Sequence, residues 1–570
     1  MFPVPDGDTG TNLALTFNSI AHRLSNLETG HAGKLLTEVA DAALDGARGN
    51  SGAILAQFLQ GLADSLGEVR AVAPAAFAKA MHTGNEYART ALGEPKEGTI
   101  LSVIRDVANE IIRQQTIHAH DFVPILEAGL ATGQRSLEAT RHGLEQMRKA
   151  NVVDAGGKGF ILLLEGIVRF LHSGSLSAVP DPFAHSEAEL DGLDDVYDAG
   201  DIEHRYCTEC MLTGESIDRR KLREALSALG SSLVMAGTQR KTKIHIHVDE
   251  PDMVFETAGR FGTVSHQKAD DMLQQSHAVR EGMPRVAVVT DSGADLPDCA
   301  YEDLGIHVVP LRVHFGERSY LDKIGMSADQ FYETLATSEH HPKTSQPAPG
   351  DFRRTFEYLA SHFDDVVSIA LTSGASGTFQ AAQSAAARVD GPGRVTVVDS
   401  RTASVGQGLV AMYAAECAAA GQPGPQVIDA AHQAMEKTMT FGLVSDLTYA
   451  VKGGRIKALH KRIADFLRVA VVLKLSKSAR VVPGGVIPRR GNPMPRFSGY
   501  VRRRIDPEQT YRIAIGHAQN RELAQALERQ LREDIPSIES VHHVELGAAI
   551  GAHGGSGMLV VAAQAYVAPQ

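Results

Sequence analysis

Asp6 and Asp8 lie two residues apart in FPVPDGDTGTN (residues 2–12), where Pro3, Pro5, Gly7 and Gly10 oppose a regular helix. Carboxylates so spaced in a turn can converge on one hard cation. Magnesium in phosphoryl-transfer sites is held in this way, by one or two carboxylates together with substrate phosphates. The same residues also suit a solvated Asp-Gly turn capping a helix that starts near Asn12. Three further stretches, GARGNSG (46–52), KEGT (96–99) and DAGGKG (154–159), are each expected to open a helix. Orphan amides and the helix dipole attract phosphate oxygens there; close packing between helices is the other use of such glycines. In IHIHV, His245 and His247 share one face of a strand, about 7 Å apart at the usual rise. With a thiolate from YCTEC (Cys207 or Cys210) they suit zinc, although strand histidines also serve as plain surface groups. Finally, Asp291-Ser292, TSGASGT (372–378) and Asp399-Ser400 each follow an apolar β-branched run. Parallel sheets bind ligands beyond such strand ends, and the hydroxyls and amides of SGASGT suit a carboxylate; simple N-capping turns are the alternative.

The elements that must position these groups fall into three zones. A chain of 570 residues is too long for one hydrophobic core, so several domains are expected. Residues 13–172 repeat apolar side chains at three- and four-residue spacing between glycine-rich breaks, which predicts helix after helix. Residues 173–198 are acidic, hold two prolines and lack periodicity, so they read as a linker. A short mixed zone with the strand KIHIHV runs to about residue 281. From Arg285 onward, β-branched runs alternate with helical patterns, which predicts α/β units around a largely parallel sheet. The net charge of −12 argues against nucleic-acid binding, where lysines and arginines must neutralise phosphates. Four cysteines suit a reducing compartment, and no apolar run approaches the ~18 residues of a membrane span. A cytoplasmic, soluble protein is expected.

FPVPDGDTGTN, GARGNSG, KEGT and DAGGKGF, in this order, resemble the nucleotide-binding DhaL-type domain of dihydroxyacetone kinases, and more specifically the N-terminal domain of bacterial fatty-acid kinases. The resemblance implies an all-α helical barrel over residues 1–172 that binds ATP through magnesium held by Asp6 and Asp8. Thr9, Asn12, Asn50, Ser51, Gly52, Thr99, Gly156 and Gly157 would lie around the nucleotide. Family members carry a helix ahead of this motif, and Met1 stands where they have valine, whose codon can serve as a start. The gene start is therefore expected about one helix upstream. YCTE and HxH resemble the small α+β middle domain of these kinases, here residues 199–281, which implies zinc on Cys207, His245 and His247 with Cys210 extra.

VTDSGADLP, PKTSQPAPGDF, SGASGTFQAA, VDSRTASVGQG, KGGRI and IGAHGGSG resemble the DegV family of fatty-acid-binding proteins over residues 284–568. The resemblance implies an α/β domain whose tunnel holds one long-chain fatty acid. Its carboxylate would be bound by Thr344 and Ser376, with Ser373 as an alternative. The family's motif arginine and histidine fall on Arg455 and His553, the arginine acting either on the transferring phosphoryl group or in docking. The usual HTGPG is HGGSG here.

Bacterial fatty-acid kinases are usually two polypeptides, a kinase and a DegV-type carrier; this chain resembles both fused. The implied activity is ATP-dependent phosphorylation of a fatty-acid carboxylate to acyl phosphate, with a membrane acyltransferase as the acceptor of the product and a homodimer as the assembly. A non-catalytic lipid carrier and a dihydroxyacetone-type small-molecule kinase are the rival readings. The second is disfavoured because a long tunnel is useless to a three-carbon substrate.

Overall fold

A computed structural model describes residues 9–25, 27, 29–92, 95–173, 203–273, 285–389, 392–454 and 456–569. The acidic linker, Asp6, Asp8 and Arg455 lie outside the described residues, apart from residue 173, which ends a helix. The chain divides into two compact units, Met1–Ser276 and His277–Gln570. Among the described residues no helix is long and apolar enough to cross a membrane.

Among its described residues the first unit has eight helices ahead of its sheet: α1 (Thr9–Leu24), α2 (Ala32–Gly46), α3 (Gly49–Leu66), α4 (Pro74–Thr90), α5 (Ile100–Gln115), α6 (Phe122–Thr140), α7 (Glu145–Ala150) and α8 (Ala155–Ser173). Their starts follow from local chemistry. Pro74 opens α4, and Thr99 and Asp121 accept amide hydrogens of the first turns of α5 and α6. The glycine-rich stretches open α3, α5 and α8 as the sequence predicts. Helix α1 is already formed at Thr9, the first described residue of this segment, so Thr9 and Asn12 both lie within it rather than Asn12 standing near its start. Helix α3 is buried on nearly all sides, with Ile54, Leu55 and Phe58 packed against Ile104 and Phe160 in one core. Each such side chain contributes about 1.5–3 kcal/mol.

The same unit continues with β1 (Tyr206–Thr213), α9 (Arg219–Ser227), β2 (Ser231–Gly237), β3 (Lys241–Val248), α10 (Pro251–Gly259) and β4 (Thr263–Asp271), an antiparallel sheet in the order β2-β3-β1-β4. Alternation along β1 and β3 gives this sheet two characters. Cys210, Leu212, Ile244 and Ile246 pack with Leu222 and Phe255 of α9 and α10. On the opposite face, Met211, Val234 and Ala236 join the core of the helical bundle. The seam is fixed by hydrogen bonds from Gly237 N to Gln57 Oε1 (2.6 Å) and from Met235 N to the Ala91 carbonyl (2.8 Å).

The second unit contains β5 (Val286–Asp291), β6 (His307–Val309), β7 (Arg312–Phe315), β8 (Arg318–Leu321), β9 (Lys343–Ser345), β10 (Asp365–Ala370), β11 (Arg394–Asp399), β12 (Thr438–Val444), β13 (Val469–Leu475), β14 (Val481–Pro488), β15 (Tyr511–His517), β16 (Ile538–Glu545) and β17 (Leu559–Ala565). A four-stranded parallel sheet, β11-β10-β5-β6, follows the expectation for this zone. Val286 and Val288 feed one core and Ala287 and Val289 another, which is why the run is apolar throughout. The six-stranded sheet β14-β13-β12-β17-β15-β16 departs from it, pairing antiparallel everywhere except β15 with β16. The short connection from β13 to β14 forces a hairpin, and the last strand inserts between β12 and β15; neither is visible in apolar alternation. A third, antiparallel sheet, β8-β7-β9, carries Thr344.

Candidate functional sites

In the helical bundle the glycine-rich stretches meet. Gly49, at φ +57°, starts α3 against Asn12, whose Nδ2 is 2.7 Å from where a Cβ would stand. Asn12 and Ser51 are buried, and Asn50 Oδ1 is buried without a hydrogen-bond partner among the described residues. Ser51 Oγ faces Gly156 so closely that a Cβ there would lie 2.6 Å from it. Asp154 then ties two helix starts together, since its Oδ2 accepts from Gly157 N (2.6 Å) and its carboxylate also accepts from the amide of Ile100. Burial pushes the Asp154 carboxyl up to about 6, with the two amides opposing. Thr99 is buried and its hydroxyl is committed to the Lys96 carbonyl and the Leu101 amide, so it fixes the start of α5. The first turns of α1, α3, α5 and α8 thus form one polar end built around Asn12, Asn50, Ser51, Gly52, Gly156 and Gly157, with Thr9 half-buried at the start of α1. Asp154 was not singled out from sequence, although an aspartate immediately ahead of a glycine-opened helix is a capping signal.

A second group stands on the bundle-facing side of the middle sheet. Cys207 pairs with His247 in register, and Glu209 with His245. The ligand atoms of Cys207, His245 and His247 lie within 4.8 Å of one another, the one such group of three among the described residues. The donor set fits a divalent zinc ion. His245 Nδ1 stands 3.1 Å from Glu209 Oε1 and 3.8 Å from Cys207 Sγ; in the tautomer that donates from Nδ1 to the Glu209 carboxylate, Nε2, buried and without a partner among the described residues, is left as the ligand atom. Burial and the neighbouring His245 push His247 down to about 3, so it is held in the neutral form that binds metal. Cys210 points to the other face and burial pushes its thiol up to about 12, which removes it from this set. Burial opposes ionisation of Glu209, but Lys243, Lys268 and His245 outweigh it and hold the carboxylate well below its usual range. Glu209 was also missed in sequence; its signal was its position two residues after Cys207, on the same strand face.

In the second unit a cavity of about 580 Å³ is lined by aliphatic residues such as Leu311, Ile456, Leu473, Val481 and Val560, with Thr344, Ser373, Ser376, Lys474 and His553 among its polar members. Thr344 and His553 are joined by a hydrogen bond between Oγ1 and Nε2 (2.9 Å), although they are 209 residues apart. Ser376 Oγ lies 2.8 Å from Thr378 Oγ1, whereas Ser373 donates its hydroxyl to Asp399, which leaves Ser376 the better placed of the two for a ligand. The helix Ala548–Gly554 that carries His553 is pinned by two buried carboxylates. Asp295 accepts from Gly547 N (3.0 Å) and pairs with Lys323 (2.9 Å); Asp322 accepts from Ala549 N (3.2 Å) and Ser292 Oγ (2.7 Å). Gly453 of KGGRI lies against His553, since a Cβ there would be 2.3 Å from Nδ1.

The architecture is thus a helical domain and a small α+β domain in one unit, and an α/β domain with an open, largely apolar cavity in the other. Comparison with known families gives each part a name. Residues 3–169 match the DAK2 domain, residues 203–279 the fatty-acid-kinase-like middle domain, and residues 285–565 the DegV family of uncharacterised proteins. The chain joins these three domains. Uncharacterized proteins of Staphylococcus aureus strains COL and N315 are each 32% identical over 288 residues, 49% of this chain and 52% of theirs. The chain therefore spans about half the length of these curated relatives. Among solved structures, DegV, a fatty acid binding protein from Bacillus subtilis, is 31% identical (TM-score 0.45) and matches 50% of this chain and 100% of its own. A fatty-acid-binding DegV family protein from Thermus thermophilus is 29% identical (TM-score 0.46), with the same coverage.

Proposed function

We propose that the protein is a fatty-acid kinase that carries its lipid-binding partner in the same chain, converting a bound fatty acid and ATP to acyl phosphate and ADP. The observation that carries this reading is the union of a DAK2 domain and a fatty-acid-kinase-type middle domain with a DegV domain whose cavity is mostly aliphatic but holds Thr344, Ser376 and His553. Each methylene taken from water contributes about 0.8 kcal/mol, so a chain of ~16 carbons gains over ~10 kcal/mol before ordering costs. A ligand held so firmly is best phosphorylated without leaving its carrier.

In this reading the hydroxyls of Thr344 and Ser376 donate to the carboxylate, and His553 fixes the rotamer of Thr344. A carboxylic acid is already ionised at neutral pH, so no strong general base is needed. One carboxylate oxygen attacks the γ-phosphorus in line; the new O–P bond forms as the bond to the bridging oxygen breaks, and ADP leaves with that electron pair. The amides at the starts of α3 and α8, together with Asn12, Asn50 and Ser51, hold the phosphates. Magnesium, when bound through Asp6 and Asp8, supplies charge neutralisation on the phosphates. Arg455 either meets the transferring phosphoryl group or serves docking. The acyl phosphate product suits an acyltransferase at the membrane as its consumer.

The test is acyl-phosphate formation from radiolabelled ATP, magnesium and a long-chain fatty acid, with this chain and with one extended by the upstream genomic codons. Label in the acyl phosphate supports the reading. No label from either protein, while both retain lipid, would reduce the chain to a fatty-acid carrier.

A further inference from the structure

Glu209 is fully buried and has partners on two sides within the first unit. Its Oε1 accepts both from His245 Nδ1 (3.1 Å) and from the backbone amide of Gly49 (2.8 Å), and its Oε2 stands 3.1 Å from Lys243 Nζ. This carboxylate is therefore shared between the Cys207, His245, His247 group and the first residue of α3. Gly49 leads directly into Asn50, whose Oδ1 is buried without a partner among the described residues, and Ser51, which touches Gly156. A metal-ligating histidine is oriented by whatever accepts its second ring hydrogen, and its ligand basicity rises with that bond. Here the same oxygen also fixes the amide that begins the polar end of the bundle.

We propose that Glu209 is a positioning residue that couples zinc occupancy of Cys207, His245 and His247 to nucleotide binding at the start of α3. A zinc ion on His245 Nε2 demands the tautomer that donates from Nδ1, and this donation holds Glu209 Oε1 where Gly49 N reaches it. The α3 start is thereby kept in its phosphate-ready form. By linkage, nucleotide binding tightens zinc by the same factor. The inference rests on the proposed nucleotide reading of this bundle end, and its zinc arm stands apart from that reading.

The experiment compares the unaltered chain with Glu209→Gln and with the double variant Glu209→Leu/Lys243→Met. The double variant replaces the buried ion pair by apolar side chains, so that no lone charge is left inside. Zinc affinity is read by competition with a chromophoric chelator, and nucleotide affinity by fluorescence of a non-hydrolysable ATP analogue, with and without zinc. Loss of the orienting acceptor is expected to weaken zinc about 10–100-fold. Stripping zinc from the unaltered chain is expected to weaken the analogue several-fold, and restoring zinc to reverse this. In the double variant the analogue is expected to bind independently of zinc, with Glu209→Gln in between. Equal zinc sensitivity in all three proteins, or none in the unaltered chain, would overturn the coupling. Unchanged zinc affinity in both variants would overturn the positioning role even where nucleotide binds. An unaltered chain that binds zinc in the Glu209-dependent way but no analogue would instead sink the nucleotide reading, and the coupling with it.

Discussion

Around Ser51 and Gly156 the first unit offers amides, hydroxyls and one buried carboxylate, whereas between Leu311 and Val560 the second offers a larger share of aliphatic surface beside its polar side chains. Under the proposed reading the first surface would bind through a few directed hydrogen bonds, so its strength would sit in the placement of single backbone groups. Under the same reading the second would bind through area, so its strength would be spread over many residues and the orientation of the ligand would depend on Thr344, Ser376 and His553. Single substitutions should accordingly be severe in the first and graded in the second.

The largest effect is expected for Asp154→Ala. It strips the amides of Gly157 and Ile100 of a buried acceptor, at about 1–3 kcal/mol for each. Calorimetry should show a destabilised first unit, and equilibrium dialysis with ATP a loss of at least about tenfold, with lipid retention intact. If nucleotide affinity is unchanged, the contrast between directed and distributed binding fails.

Next comes a pH effect in the second unit. Asp291 accepts from Leu371 N and Gly293 N and from Gln407, yet burial dominates and pushes it from its ordinary 3.8 up to about 6. A raised carboxyl stabilises the fold below pH 4 and loses that contribution as pH rises through 6, a swing of about 3 kcal/mol. Urea midpoints of this unit measured from pH 4 to pH 7 should fall accordingly, and Asp291→Asn should flatten the curve. Ser376→Ala removes one donor to a charged group and should weaken fatty-acid retention about tenfold, read by displacement of a fluorescent lipid. Leu473→Ala, on the cavity wall, is the mildest for lipid affinity. It should change affinity only a few-fold and shift the preferred chain length upward; a collapse of binding there would break the comparison from the other side.

Much of this was legible along the chain. Three glycine-rich stretches marked the starts of α3, α5 and α8, because the residues that free the backbone or cap it act within a turn of themselves. The two histidines on one strand face followed from the period of two. The antiparallel pairing of the six-stranded sheet was not legible, since apolar runs look alike in either direction. Nor was the commitment of Ser373 to Asp399, which depends on two loops meeting.

The sequence by itself determined the zones, the helix starts, the strand faces and the residue types on offer for magnesium, zinc, phosphate and a carboxylate. Only the tertiary structure decided that Glu209 reaches Gly49 160 residues away, that Asp154 bridges α5 and α8, and that Thr344 meets His553. The physical reason is range. Capping, turns and periodicity are set by neighbours within a few residues, whereas a buried carboxylate is assigned its partners only when packing removes water and leaves the nearest amide, imidazole or ammonium to satisfy it.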